Sequence, residues 1–277
     1  MDDRKSRRLI VKTIKILMFC IFILFFTVGI VATYLFLKFP SDKQIKGCLI
    51  TSFNKVNLCA KSENYVKLSE ISEYLIKAVI STEDTAFYSH SGFDFQEIEN
   101  SFKLNLEKGK FARGGSTISQ QLAINLFLSK DKTLSRKLLE ALITMRIEKI
   151  LSKREILEKY LNVVQFGKDL YGVKSASKFY FNKLPSQLSI NESAFLAFLL
   201  PNPEVYSKSY FQGKLTAFAR NRIQQIIDRL LSFKKISENE YFQANSNVDN
   251  FLRGEKVETN QNFDFSEEEF LDLESDN

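Results

Sequence analysis

Three stretches of this 277-residue chain hold residue types able to do chemistry. The first, "AVISTEDTAFYSHSGFDF" (78–95), ends an apolar helical run on the adjacent carboxylates Glu83 and Asp84 and continues with Phe87, the single histidine His90, Gly92 and Asp94. Adjacent acids at a helix end can be ordinary solvated surface. A second acid is harder to dismiss. Along 133–150, Leu138, Ala141, Leu142 and Met145 make one face while Ile143 and Ile147 take nearly the opposite one, which predicts a helix apolar almost all round and largely buried. Glu140 is thereby carried inward, where an unpaired charge is costly. An ion pair with Arg136, four residues earlier, would order the helix. Two carboxylates lining one cleft, as in chemistry at a sugar's anomeric carbon, are the other reading. Spacing alone does not show that Glu83 and Glu140 meet.

The third stretch, "GGSTISQQLAINLF" (114–127), sets two glycines before hydroxyls and amides. At 100° per residue Thr117, Gln121 and Ile124 fall within about 60° of each other, while Ile118, Leu122 and Leu126 line a different face. An isoleucine thus stands on a polar face. Just before it, "SFKLNLEKGKFARGG" carries Lys103, Lys108, Lys110 and Arg113 over an apolar stripe of Phe102, Leu104, Leu106 and Phe111. That pattern suits lipid head groups and a solvated loop equally.

The elements that must position these residues read as helices. Ser152-x-x-Glu155, Ser189-x-x-Glu192, Ser237-x-x-Glu240 and Thr117-x-x-Gln120 each match the capping box that opens a helix. Periodicity predicts helices over 68–81, 94–107, 116–128, 133–151, 153–162, 172–181, 190–200, 213–233 and 237–244, the seventh closed by Pro201 and Pro203. The expected fold class is mainly α. Residues 38–67, with β-like pieces CLITSF and VNLCA, read as a juxtamembrane connector or small hairpin.

Ahead of that connector, Ile16 to Phe36 holds 21 residues without a charge, enough to cross a bilayer as a helix and too long for the apolar region of a cleaved signal peptide. Arg4, Lys5, Arg7, Arg8, Lys12 and Lys15 predict that residues 1–15 stay in the cytoplasm, with 16–37 as anchor and the remainder outside. The main domain is expected over 68–245. Residues 246–277 carry ten acids against Arg253 and Lys256, a net −8 that leaves +14 for the rest, and read as a flexible acidic tail. Basic charge beside an anchor favours anionic or phosphorylated lipids over nucleic acid, for which no reader motif is present. Cys48 and Cys59 would both lie outside; a disulfide and two free thiols are both compatible with their spacing. A single histidine leaves no Cys/His metal cluster.

"EDTAFYSHSGFD", "GGSTISQQLAINLF", "RKLLEALITMRIEKILSKREILEKYLN", "FGKDLYGVKSASKFYF" and "ESAFLAFLLPNP" stand in the order and at the separations of the five motifs of the peptidoglycan glycosyltransferases, glycosyltransferase family 51. The chain resembles the monofunctional, membrane-anchored biosynthetic transglycosylases, since no Ser-x-x-Lys transpeptidase module follows. The resemblance implies a lysozyme-like lobe with a smaller membrane-proximal lobe, and an enzyme of the bacterial cytoplasmic (inner) membrane. Its expected substrates are lipid II, a disaccharide-pentapeptide on undecaprenyl pyrophosphate, and the growing glycan strand, with membrane lipids and other cell-wall synthases as partners. By the same resemblance Glu83 matches the general base, and Asp84 and His90 match positions that shape its loop. Ser116, Thr117, Gln120, Gln121 and Asn125 match the polar cleft face, and Lys132, Arg136 and Lys137 match basic positions near the donor phosphates. Glu140 matches the second essential acid, acting directly or through magnesium or manganese; no organic cofactor is implied.

One departure stands out. The family pattern reads Gln-Gln-x-x-Lys-Asn, and Ile124 occupies the lysine position. Loss of a phosphate-binding charge in a cleft can cost about 2–5 kcal/mol. Two readings follow: a working polymerase in which Lys130, Lys132 or another nearby cation substitutes, or a weakened relative that binds lipid II or partner synthases as a scaffold. A lytic muramidase also uses a lysozyme-like lobe but explains none of the other motifs. Smaller departures are Asp169, where the family usually has glycine, and Asn182, where glycine or histidine is commoner.

Overall fold

The computed structural model describes residues 3–109, 114–129, 131 and 133–253, backbone alone over 3–11 and 34–36. Helix α1 (Asp3–Lys38) contains Lys12–Thr33, 22 residues with a mean hydropathy of 2.8 and no burial against the rest of the chain. At 1.5 Å per residue those residues span about 33 Å, the depth of a hydrocarbon layer. An apolar helix of that length, unshielded by protein, is compatible with membrane anchoring. Ser41 then opens the short helix α2 (Asp42–Lys46) through a capping box with Gln44.

Strands β1 (Leu49–Ile50) and β2 (Asn57–Leu58) pair antiparallel with Leu49 opposite Leu58, and a Cys48–Cys59 disulfide closes the hairpin. Of the two states that spacing left open, the structure has the bridge. The hairpin is tied to the helical body through Ser52 N–H, which donates to Leu126 O at 3.0 Å.

The body is built from α3 (Glu73–Glu83), α4 (Phe95–Lys108), α5 (Ile118–Phe127), α6 (Leu134–Ile150), α7 (Lys153–Val163), α8 (Val173–Phe181), α9 (Ile190–Leu199), α10 (Pro203–Tyr206), α11 (Lys208–Phe211), α12 (Ala217–Ser232) and α13 (Glu238–Asn247), with a second hairpin of β3 (Gln165–Gly167) and β4 (Leu170–Tyr171) between α7 and α8. The mainly α expectation holds. Helix α9, buried along its whole length, packs against α3 and α12, while α5 packs against α6 and α7. Two helix bundles thus meet where α3 ends and α5 begins. An ion pair of Arg146 with Asp42, both contacts 2.8 Å, ties α6 to the juxtamembrane helix.

Several local expectations shift. The helix expected from 68 begins at Glu73, because Leu68–Glu70 forms a separate 3₁₀ turn and Ile71 is extended. The helix expected from 213 begins at Ala217, capped by Thr216, since Gly213 has φ +65°. Helix α6 is not buried all round: Leu139, Glu140, Ile143, Thr144 and Ile147 face the core, whereas Leu138 and Met145 are 46% and 49% exposed. Asp169 and Asn182 both adopt positive φ, +54° and +51°, a backbone state that favours glycine and that Asn and Asp tolerate best among the others. Residues 246–253, assigned to the tail by composition, are ordered: Phe251 packs against Phe181 and Phe195, and Arg220 pairs with Asp249. The tail beyond, 254–277, lies outside the described residues, as do Lys110, Phe111, Arg113, Lys130 and Lys132.

Candidate active site

Glu83 is the last residue of α3, and Asp84 ends the helix by leaving helical geometry at φ −163°. The chain then turns tightly, Phe87 N–H and His90 N–H donating to Asp84 O and Ala86 O, which folds His90 back onto the Asp84 carboxylate. His90 Nε2 lies 2.9 Å and 3.0 Å from the two carboxylate oxygens, and Nδ1 accepts Gly92 N–H at 3.0 Å. A nitrogen that accepts carries no proton, so the arrangement specifies the Nε2–H tautomer donating to Asp84. Gly92 has φ +100°, and a Cβ there would meet Thr144 Cγ2 at 3.0 Å and Glu148 Cγ at 3.2 Å. Only glycine lets this loop lie flat against α6.

Asp84 Oδ2 also accepts Ile118 N–H at 2.9 Å, satisfying a free donor at the start of α5. Burial pushes the Asp84 carboxyl up, opposed by the bonds from Ile118 and His90 and by the charge of Lys153. Asp84 is therefore a brace between loop and helix. In Asp84→Asn an amide NH₂ would face one of two N–H donors, and the lost acceptor should cost about 1.5–3 kcal/mol. The expected reading is a thermal midpoint lower by several degrees; an unchanged midpoint would remove Asp84 from this role.

At the start of α5 Thr117 caps the helix: Thr117 N–H donates to Gln120 Oε1 at 3.1 Å and Gln120 N–H to Thr117 Oγ1 at 3.2 Å, while Thr117 Oγ1 donates to Gly92 O at 2.7 Å. With its carbonyl end pinned, Gln120 directs Nε2 to Glu140 Oε1 at 3.1 Å. The next residue works the same way: Gln121 Nε2 donates to Glu83 Oε2 at 2.8 Å, its Oε1 accepting from Tyr160 Oη at 2.9 Å. Two consecutive glutamines on one helix thus each hold one of the two acids. That answers what spacing could not: Glu83 and Glu140 flank the same turn of α5.

Their surroundings differ. Glu83 is half-buried with one amide donor; burial, joined by the adjacent Asp84 charge, pushes its carboxyl above the usual range, and the Gln121 bond opposes this. Glu140 is 0% exposed and accepts three hydrogen bonds, Oε1 from Lys137 Nζ at 2.5 Å as well as Gln120, and Oε2 from Arg136 Nη1 at 3.1 Å. A divalent cation held by Glu140 does not fit this donor set. Both oxygens face N–H donors, two of them cationic, and among the described residues no group of three or more His, Cys, Asp or Glu gathers. Glu140 instead aims two cations. Arg136 Nε is buried with no hydrogen-bond partner among the described residues, and the Lys137 side chain is 52% exposed.

Of the other expected site residues, Asn125 bonds its own helix, Nδ2 donating to Gln121 O at 3.0 Å, and Ser116 is exposed just before the cap. Lys132 lies outside the described residues. Sequence reasoning missed four supports. Ser119 donates to Glu148 at 2.5 Å, Lys153 pairs with Glu148 at 2.7 Å and lies 4.6 Å over the Phe87 ring, and Tyr160 reaches Gln121. Glu148 follows Glu140 and Thr144 at four-residue steps on one helix face, a signal the sequence did carry.

The family model described as transglycosylase matches residues 49–231. A protein of Nitrosomonas eutropha named biosynthetic peptidoglycan transglycosylase is 45% identical over 182 residues, 65% of this chain and 75% of that one. One of the same name from Nitrosospira multiformis is 39% identical over 194 residues, 70% of this chain and 83% of that one. The stretches that carry the paired acids, the two glutamines and the cations all lie inside the matched region, and the chain belongs to the transglycosylase family, the peptidoglycan glycosyltransferases.

Proposed function

We propose that this chain is an anchored polymerase of lipid II in which Glu83 is the general base. The acceptor sugar's 4-hydroxyl loses its proton to Glu83 as its oxygen attacks the donor's anomeric carbon from the face opposite the leaving group. The bond from that carbon to undecaprenyl pyrophosphate breaks, its electron pair leaves with the pyrophosphate, and the configuration inverts. The observation that carries this reading is the pair of neighbouring glutamines that brings one acid with a raised pKa and one cation-bearing acid to the same turn of α5. A base must be deprotonated to act yet hold a proton well, which a half-buried carboxylate beside a second one provides.

Arg136 and Lys137 are the cations that meet the donor pyrophosphate, the buried Arg136 Nε being a donor in want of an acceptor. No step is assigned to a metal ion. The N-terminal positive charge puts residues 1–15 in the cytoplasm and the catalytic body on the outer side of the inner membrane. The exposed apolar row Phe95, Ile98, Phe102 and Leu106 along α4 suits contact with that membrane's surface.

Ile124, one turn beyond Gln120 and Gln121, is half-buried against the core, so α5 supplies no cation. With Arg136 and Lys137 in place the wild-type chain is expected to polymerise lipid II, and Ile124→Lys to raise the rate by roughly tenfold through one added charge-assisted contact. Glycan product is followed on gels from purified protein and lipid II in detergent. Product from Ile124→Lys protein alone, none from wild type, would instead favour a lipid II-binding scaffold.

A further inference from the structure

Among the described residues Tyr160 is the largest fully buried side chain, on the face of α7 that packs against α5. A phenylalanine would fill nearly the same space, so the hydroxyl is not there for packing. Burial and the nearby charges of Glu83 and Asp84 hold the phenol well above its ordinary pKa, which keeps the proton on oxygen wherever the enzyme works. Its acceptor is Gln121 Oε1, and the other end of that amide is on Glu83.

We infer that Tyr160 is a positioning residue for the reaction, fixing which way round the Gln121 amide stands so that its NH₂, and not its carbonyl, meets Glu83. The two ends of a glutamine amide are nearly the same size, and shape alone does not choose between them. The hydroxyl chooses. With the amide reversed, its carbonyl oxygen would lie against the Glu83 carboxylate, tolerable only when that carboxyl carries a proton, and the Tyr160 proton would lose its acceptor. Orientation of the amide and protonation of the base are therefore one coupled equilibrium, and Tyr160 biases it toward the ionised base. Gln120 is set by its own helix through the Thr117 N–H; Gln121 has no such local donor and takes one from α7.

Among the described residues the charged and titratable groups around Glu83 are few. Asp84 is next in the chain, with His90 and Lys153 beyond it, and Arg229 of α12 donates to Ser81 O at 2.8 Å at the base of the same helix end. None of these touches the Gln121 amide, so a change confined to the Tyr160 hydroxyl reaches Glu83 through Gln121.

This inference rests on Glu83 being the base, and the experiment separates the two. Rates of lipid II polymerisation are measured across pH for wild type, Tyr160→Phe, Gln121→Ala, the double variant and Glu83→Gln, with thermal midpoints for each. Tyr160→Phe is expected to move the acid limb of the profile to higher pH, lowering the rate about three- to tenfold at the acid end and less than about twofold at the alkaline end. Gln121→Ala should move the limb the same way, and in its background Tyr160→Phe should add nothing, since the hydroxyl acts through that amide. A limb left in place by Tyr160→Phe, or a shift that persists undiminished without Gln121, overturns the inference. Should Tyr160→Phe lose its cooperative melting, Gln121→Ala decides alone: an unmoved limb overturns the inference. An active Glu83→Gln enzyme would refute the base assignment itself, a different outcome from either.

Discussion

Glu83→Gln is expected to lower lipid II polymerisation by about 10²–10⁴-fold while leaving the fold intact, because the change removes proton acceptance and almost nothing else. The amide matches the carboxyl in shape, and its carbonyl oxygen can still accept from Gln121 Nε2. The position is half-buried and at a helix end, so no cavity or helix penalty follows. Loss of a half-buried charge beside Asp84 offsets any loss in the hydrogen bond, and the thermal midpoint should move by no more than a few degrees.

The sign of the pH dependence follows from the same groups. Burial and the Asp84 charge raise the Glu83 pKa, and the Gln121 bond lowers it by less than burial raises it. Wild-type activity should therefore climb with pH through a limb lying above the ordinary carboxylate range, as the base becomes deprotonated. Glu83→Gln protein should show only residual activity, without that limb. Polymerisation within tenfold of wild type, with the limb retained, would assign the base elsewhere.

How much of this was legible beforehand depended on whether the cause was local. The Thr117–Gln120 cap is written in four residues, and the structure forms it as read. Glu140 was placed inside by helix periodicity, correctly, although the helix proved two-sided because Leu138 and Met145 face outward. The β3–β4 hairpin was missed, since strands of two or three residues carry no period and the turn rests on Asp169 at positive φ. The link from Tyr160 through Gln121 to Glu83 spans three helices that only tertiary packing brings together. Nothing in "REILEKYLN" distinguishes that tyrosine from a core aromatic, and by burial it is one.

Glu140 should be the second position of large effect, by a different mechanism. Glu140→Gln keeps the Gln120 contact sterically possible but leaves Arg136 and Lys137 without their counter-charge. Lys137 can turn to solvent, being half exposed; Arg136 is held deeper and bears most of the loss. Removing one partner of a buried pair typically costs about 3–5 kcal/mol, against about 0–1 kcal/mol for an exposed one, so an intermediate fall in stability and a thermal midpoint lower by several degrees are expected. The rate should drop by about 10²-fold or more, because both cations lose the anion that aims them at the donor pyrophosphate. Stability loss alone could also slow the enzyme, and a double variant separates the causes. In Arg136→Leu/Glu140→Leu no buried charge is left uncompensated, because Lys137 is half exposed and can turn to solvent, and apolar pairs of similar size often restore stability at such sites. Its midpoint should recover toward wild type while its activity stays low. Were activity to recover together with the midpoint, Glu140 would be a structural ion-pair partner and the pyrophosphate would have to be met by other cations.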